Sequence, residues 1–260
     1  MTILDKIIVK KRLEVEQAKE NVAIADLESA PLFERTCLSL SDAVRNEEKN
    51  GIIAEFKRAS PSKGVINNHS SVSEIVAGYQ EAAVSAVSVL TDSDFFKGSL
   101  ADLVAAREVL HIPLLRKEFI IDEYQIVEAK AHGADIILLI AAVLNPKEIM
   151  ALSGFAKALG LNVLLEVHNE EELERSRLDS VDAIGVNNRN LNDFSVSLDH
   201  SLALVDLIPE RFIKVSESGI SDPATIRQLR NAGFQGFLIG ENFMKTTDPK
   251  QAIKRFVSAL

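Results

Sequence analysis

From residue 51 onward the chain alternates between two hydrophobic patterns. Short apolar, β-branched runs give way to longer segments whose apolar residues recur at helical spacing. The runs are "GIIAEFK", "AVSVLTD", "IPLLRKEF", "ADIILLIAA", "NVLLEVH", "DAIGVNN", "FIKVSES" and "GFLIGEN". Between them lie segments such as "SVSEIVAGYQEAAV", "SLADLVAAREVL", "DEYQIVEAKAHG", "NPKEIMALSGFAKALG" and "DPATIRQLRNAG". The pattern predicts eight strands, each followed by a helix, at roughly 20–35 residues per unit.

Local signals mark where the helices begin and end. Asp122 stands where an N-cap belongs, and Asn145-Pro146, Asp222-Pro223 and Asp248-Pro249 put proline at a first helical position. Gly133, Gly160 and Gly233 sit where helices stop. Eight βα units close a (β/α)₈ TIM barrel. A doubly wound open sheet is the alternative, but it usually carries a G-x-G-x-x-G turn, and this chain has none. Residues 1–45 do not follow the beat. "MTILDKIIVKKRLEVEQAKE" reads as an amphipathic helix, and this N-terminal helical extension is expected to cover one mouth of the barrel. The expectation is a single domain over 1–260, with 1–45 as extension and 51–260 as barrel.

Composition narrows the function. The apolar mass is aliphatic, Trp is absent, and the formal net charge is −9, which argues against nucleic acid as a partner. A small anionic substrate remains compatible, held by a few local cations. The single cysteine, Cys37, excludes an intrachain disulfide and reads as a buried small hydrophobe. No stretch is apolar enough to span a bilayer, and the N-terminus lacks a secretory apolar region, so no membrane association and a cytoplasmic location are expected.

A parallel barrel builds its active site from the C-terminal strand ends. Those ends carry Glu55 and Lys57; Arg116, Lys117 and Glu118; Glu166 and His168; Asn187, Asn188 and Arg189; Glu217 and Ser218; and Gly240 and Glu241. The fourth run ends apolar. Residues two apart share a face, so Glu55 pairs with Lys57 and Asn187 with Arg189. Several strands converging in this way predict a polar pocket at one mouth, although any single charge there could be merely solvated. Arg58, Arg116 and Glu118 are out of phase and read as structural ion pairs. The five histidines lack metal-ligand spacing and read as satisfied surface or core residues. "NEEELER" reads as the solvated start of a helix. Ser218-Gly219 and Gly240-Glu241 fall in the two loops that commonly bind phosphate through backbone N–H groups.

Taken together, "AEFKRASPSKG", "VLTDSDFFKGS", "LLRKEFIIDEYQI", "LLEVHNEEEL", "IGVNNRNLNDFSV", "VSESGI" and "FLIGENFM" resemble the indole-3-glycerol-phosphate synthase family across residues 52–244. Glu118 and Asn190 depart from the aspartates the family pattern leads one to expect. No fused second barrel is expected after the last helix. The resemblance implies a carbon–carbon (carboxy-)lyase of tryptophan biosynthesis. It would convert 1-(2-carboxyphenylamino)-1-deoxyribulose 5-phosphate to indole-3-glycerol phosphate, CO₂ and water, with no cofactor and no metal. It implies Lys117 as general acid with Glu55 and Glu166 as catalytic carboxylates. Lys57, Ser60, Asn187, Arg189 and Glu217 would bind substrate, and Phe119 would pack on its aromatic ring. Ser218, with the backbone of Gly219, Gly240 and Glu241, would hold the phosphate. The expected partner is a small phosphorylated molecule, and the expected state a monomer or weak homo-oligomer. Two rivals stand beside this: another phosphate-binding barrel, such as an isomerase or a Schiff-base aldolase using Lys117, and a noncatalytic barrel that only binds a phosphorylated metabolite.

Overall fold

The structure, a computed structural model, describes residues 2–190 and 193–260. Leu191 and Asn192, which fall within one of the motifs quoted above, lie outside the described residues. Each of the eight runs forms a strand: β1 (Ile52–Phe56), β2 (Ala86–Leu90), β3 (Leu114–Lys117), β4 (Ile136–Ile140), β5 (Asn162–Val167), β6 (Ala183–Asn187), β7 (Ile213–Glu217) and β8 (Gly236–Ile239). Every strand pairs in parallel with its sequence neighbours, and β1 closes the ring against β8, with Ile52 opposite Phe237. This is a TIM barrel, as the eightfold beat predicts.

Strand alternation sorts the apolar residues into two layers. Ile53, Leu115, Ile136, Leu138, Leu164, Ile213, Val215 and Leu238 pack inside the barrel. Ile52, Ala54, Phe56, Leu114, Ile137, Leu139, Val163, Leu165 and Phe237 face outward under the helices. The inward phase therefore continues upward through Glu55, Lys117, Glu166 and Glu217. One alternation decides both the core and the site.

The punctuation residues behave as their chemistry requires. Asp122, Asn145, Asp222 and Asp248 each accept a backbone N–H at a helix start. Gly133, Gly160 and Gly233 adopt positive φ after three of the helices. The helix after β5 is short, Glu170–Glu174. The first βα loop contains a small antiparallel pair, Ala59–Ser60 with Gly64–Val65.

The N-terminal extension reaches both mouths rather than the one expected. Its first helix, α1 (Ile3–Asn21), brings Ile3, Leu4 and Ile7 to the C-terminal mouth. Buried Lys11, on the same helix, pairs with Asp92 and Glu118, each at 3.0 Å. Further along, Leu40 and Val44 join the inner core. That segment is tied down by Asp135, which accepts from the Leu38 N–H (2.7 Å) and pairs with Arg35 and Arg107, and by Asn162, whose Oδ1 accepts from the Leu40 N–H. Cys37 is only partly buried, so the expectation of a buried hydrophobe is corrected. The strap lies over the barrel foot and leaves Cys37 partly exposed, with Sγ 3.8 Å from the Ala134 carbonyl oxygen. No helix among the described residues is long and apolar enough to cross a membrane.

Candidate active site

The C-terminal mouth holds a cavity of about 560 Å³, and the lining residues come from α1, the first βα loop and the ends of most strands. Its floor is apolar, made by Leu90, Leu138, Ile140 and Leu238. Ile140 ends β4, the strand whose run ends apolar. Above the floor sits a ring of polar groups. All thirteen residues singled out from the sequence line this one cavity: Glu55, Lys57, Ser60, Lys117, Phe119, Glu166, Asn187, Arg189, Glu217, Ser218, Gly219, Gly240 and Glu241.

Lys117 is the hub. Its Nζ lies 2.7 Å from Glu217 Oε2 and 3.2 Å from Glu166 Oε2. Glu166 Oε1 accepts from Asn187 Nδ2 at 3.0 Å. Glu55 Oε1 lies 2.8 Å from Lys57 Nζ. Burial works against a charge on Lys117, but Glu217, Glu166 and Glu55 outweigh it and raise its pKa above the usual lysine range. Burial likewise opposes a charge on Glu166, yet Lys117, His168 and the Asn187 amide bring its pKa below the usual carboxylate range. Glu217 goes the other way. Burial, with Glu166 and Glu55 nearby, pushes it up to about 7 despite Lys117. The physical reason is a surplus of carboxylates around one ammonium. The excess falls on Glu217, whose Oε1 is buried with no hydrogen-bond partner among the described residues.

Two glycines make room for these carboxylates. A Cβ on Gly240 would lie 2.7 Å from Glu55 Oε1 and 2.9 Å from Glu55 Cβ, and one on Gly185 would overlap Glu217 Oε1. Gly240 was expected to ease the approach of an anion; the contact it relieves is with Glu55. Gly185 was not anticipated. Its signal in the sequence is only its phase, two residues before Asn187 on the inward face of β6.

Ser218 and Gly219 both adopt left-handed backbone, with φ of +68° and +76°. That is unusual for a serine, and buried Asn188 holds it in place. Asn188 Nδ2 donates to Ser216 Oγ (3.0 Å) and to the Ser218 carbonyl (3.1 Å), while its Oδ1 accepts from the Ser201 N–H. A Cβ on Gly219 would lie 2.5 Å from Val196 Cγ1, so the glycine is required by conformation and packing before any ligand is considered. The Glu241 side chain, expected to be idle, faces Arg189 across 3.7 Å. Arg189 also donates from Nη1 to the Phe194 carbonyl at 3.2 Å.

Of the residues read as out of phase, Arg58 and Arg116 stay out of the cavity lining, whereas Glu118 reaches its edge, and all three make ion pairs. Arg58 makes a two-pronged contact with Asp102, and Arg116 pairs with Glu128. Glu118 receives Lys11 and Thr91. Two expectations fail nearby. His168 is neither a surface nor a simple core residue, because it follows β5 directly in the same inward phase as Glu166 and its Nε2 lies 3.4 Å from Glu166 Oε1. Glu172, read as part of a solvated helix start, is buried and accepts from the His168 N–H at 2.8 Å. The signal in the sequence is the two-residue spacing of Glu166 and His168, the same as that of Glu55 and Lys57.

A family model described as Indole-3-glycerol phosphate synthase matches residues 4–256. The chain is 46% identical over 258 residues to the indole-3-glycerol phosphate synthase of Bacteroides thetaiotaomicron, covering 99% of this chain and 98% of that protein. It is 45% identical over 257 residues to the Salinibacter ruber protein of the same name, covering 98% and 95%. Among solved structures, 3-hexulose-6-phosphate synthase from Salmonella typhimurium matches with a TM-score of 0.64 at 13% identity, covering 81% of this chain and 98% of that one. That last likeness speaks to the barrel alone. A family match over nearly the whole length, with relatives at this identity, means that the chain belongs to the indole-3-glycerol phosphate synthase family.

Proposed function

We propose that this chain carries out the reaction for which its family is named: closure of 1-(2-carboxyphenylamino)-1-deoxyribulose 5-phosphate to indole-3-glycerol phosphate, with loss of CO₂ and water. The observation that carries the reading is one ammonium, Lys117, held between Glu166 and Glu217 above an apolar floor. In ring closure an aromatic carbon attacks the ketone carbon, and the ketone oxygen takes a proton from Lys117. Departure of the ring carboxylate as CO₂ leaves its electron pair to the ring. The hydroxyl then leaves as water on protonation, and a carboxylate removes a proton from the adjacent methylene carbon to give the indole. Glu55 and Glu166 serve as the catalytic carboxylates. Glu217, raised toward neutrality, is well suited to hold a proton between steps.

Binding follows from the same ring. Lys57 and Arg189 are the cations for the substrate carboxylate until it leaves, with Ser60 and Asn187 beside them. Phe119, half-buried against Phe96 with ring centroids 6.1 Å apart, packs on the aromatic ring. Ser218, with the backbone of Gly219, Gly240 and Glu241, takes the phosphate. The reading needs neither cofactor nor metal. It places a single-domain enzyme in the cytoplasm, as a monomer or weak homo-oligomer acting on a small phosphorylated substrate. The Schiff-base rival requires a neutral lysine, whereas the carboxylates here favour a charged one.

The test is indole fluorescence appearing when the purified chain meets the substrate with EDTA present. Lys117→Met should fold normally and lose about 10²-fold or more in kcat, the scale of a missing general acid. Borohydride should trap no covalent adduct. Full turnover by the folded variant would remove Lys117 from the chemistry.

A further inference from the structure

On the reading that Glu166 is a catalytic carboxylate, we propose that His168 is a positioning residue whose ring, braced by Glu172, holds Glu166 beside Lys117. Glu166 lies on β5 and His168 follows the strand directly, two residues on and in the same phase, and both side chains are largely buried. His168 Nδ1 lies 3.2 Å from Glu172 Oε2, and Nε2 lies 3.4 Å from Glu166 Oε1. Glu172 is itself fully engaged. Its Oε2 also accepts from the His168 backbone N–H, and its Oε1 accepts from Asn169 Nδ2 at 3.2 Å. Because that backbone contact already joins Glu172 to the end of β5, the short helix does not need the imidazole. The ring supplies a second nitrogen aimed at Glu166.

Glu166 needs such a brace. Lys117 is shared, and it sits closer to Glu217 (2.7 Å) than to Glu166 (3.2 Å). Among the described residues, the other Glu166 oxygen is held by Asn187 and His168 alone. Nε2 is buried with no well-formed hydrogen bond among the described residues, so its interaction with Glu166 is chiefly that of charge. Burial disfavours the imidazolium, but Glu166 and Glu172 overcome this and push its pKa up to about 10. The charged groups that bear on the pair are Lys117 from β3, Glu217 from β7, Glu172 from the helix after β5, Arg175 beyond that helix, and Glu55 from β1 through Lys117 and Glu217.

The test is steady-state kinetics across pH on the full chain with His168→Ala, His168→Gln, Glu172→Gln, Glu166→Gln and the double variant Glu166→Gln/His168→Ala. A misplaced catalytic group should cost His168→Ala about tenfold in kcat, with KM changed by no more than about twofold. His168→Gln keeps a donor within reach of Glu166 but not the charge, and should recover part of that loss at neutral pH; Glu172→Gln should also fall short of the His168→Ala loss. Both His168 variants remove a positive charge beside Glu166, so the acid limb of kcat/KM should move up by about one pH unit. In the Glu166→Gln background, His168→Ala should cost nothing further. Unchanged kcat and acid limb in His168→Ala would overturn the proposal. So would a loss that adds in full to that of Glu166→Gln, or one that tracks a fall in Tm and is not recovered by His168→Gln. If Glu166→Gln itself retains full kcat, the role of Glu166 fails and the brace with it. A crippled Glu166→Gln beside an indifferent His168→Ala overturns the brace alone.

Discussion

Glu55, Glu166 and Glu217 crowd around the ammonium of Lys117, and the unequal way they share it is the main electrostatic fact of the site. Glu166 keeps its charge because Asn187 and His168 add to the pull of Lys117. Glu217 is pressed toward its neutral form. This has a consequence for stability. A carboxyl whose folded pKa is raised contributes stability that is complete below its ordinary value, near 4.5, and lost as pH rises through about 7. Glu217→Gln removes that titration. Between pH 5 and pH 8 the unfolding free energy of this variant, relative to the unsubstituted chain, should improve by about 1–3 kcal/mol. Urea unfolding at both pH values measures it, and a difference that stays flat with pH would mean that Glu217 titrates as an ordinary carboxylate.

Elements place these residues, and α1 does so from outside the barrel. Its first turn lines the cavity, while Lys11, one turn beyond Ile7, is buried against Asp92 after β2 and Glu118 after β3. Glu118 directly follows Lys117, so the helix is pinned beside the hub of the site. Lys11→Met keeps the length of the side chain and leaves two carboxylates buried without their cation. The expected cost is about 3–5 kcal/mol, because a broken buried pair leaves an uncompensated charge. Thermal unfolding reads this directly. A variant with unchanged Tm would mean that water or Arg116 neutralises Glu118 without help from α1. The same network answers for Glu118, the glutamate found where the family resemblance leads one to expect aspartate: its Oε1 reaches Lys11 while its Oε2 accepts from Thr91.

Across the whole molecule the two ends of the barrel do different work. The C-terminal mouth gathers the polar ring. The foot is closed by the strap that carries Leu38 and Leu40, clamped by Asp135, which is fully buried and also meets Arg35, Arg107 and the Leu114 N–H. Charge balance at the foot is therefore a matter of folding. Asp135→Ala strands Arg107 in the interior and unties the strap, and should destabilise by about 3–5 kcal/mol. At temperatures where the variant is still folded, kcat should stay within about twofold of the unsubstituted chain, since strand ends at the foot serve stability. A selective loss of kcat in folded Asp135→Ala would show the two ends to be coupled.

The βα beat, the helix caps and the inward phase of Glu55, Lys117, Glu166 and Glu217 were all legible in the linear pattern. These follow from local rules: strand alternation has a period of two, and caps and C-terminal glycines act within one helical turn. The residues that together resemble the family motif were legible for the same reason, since each lies at the end of its own strand. What only the tertiary structure decided is which of these groups touch. Lys117 joins Glu217 across 100 positions of chain, and no local rule contains that distance. The overlap that requires glycine at position 185, the reach of α1 to one mouth and of the strap to the other, and the turn of His168 toward Glu166 rather than toward solvent are all contacts between elements. They depend on how closure of the barrel brings the strand ends into one ring, and the alternation along a single strand carries no information about its neighbour's side chains.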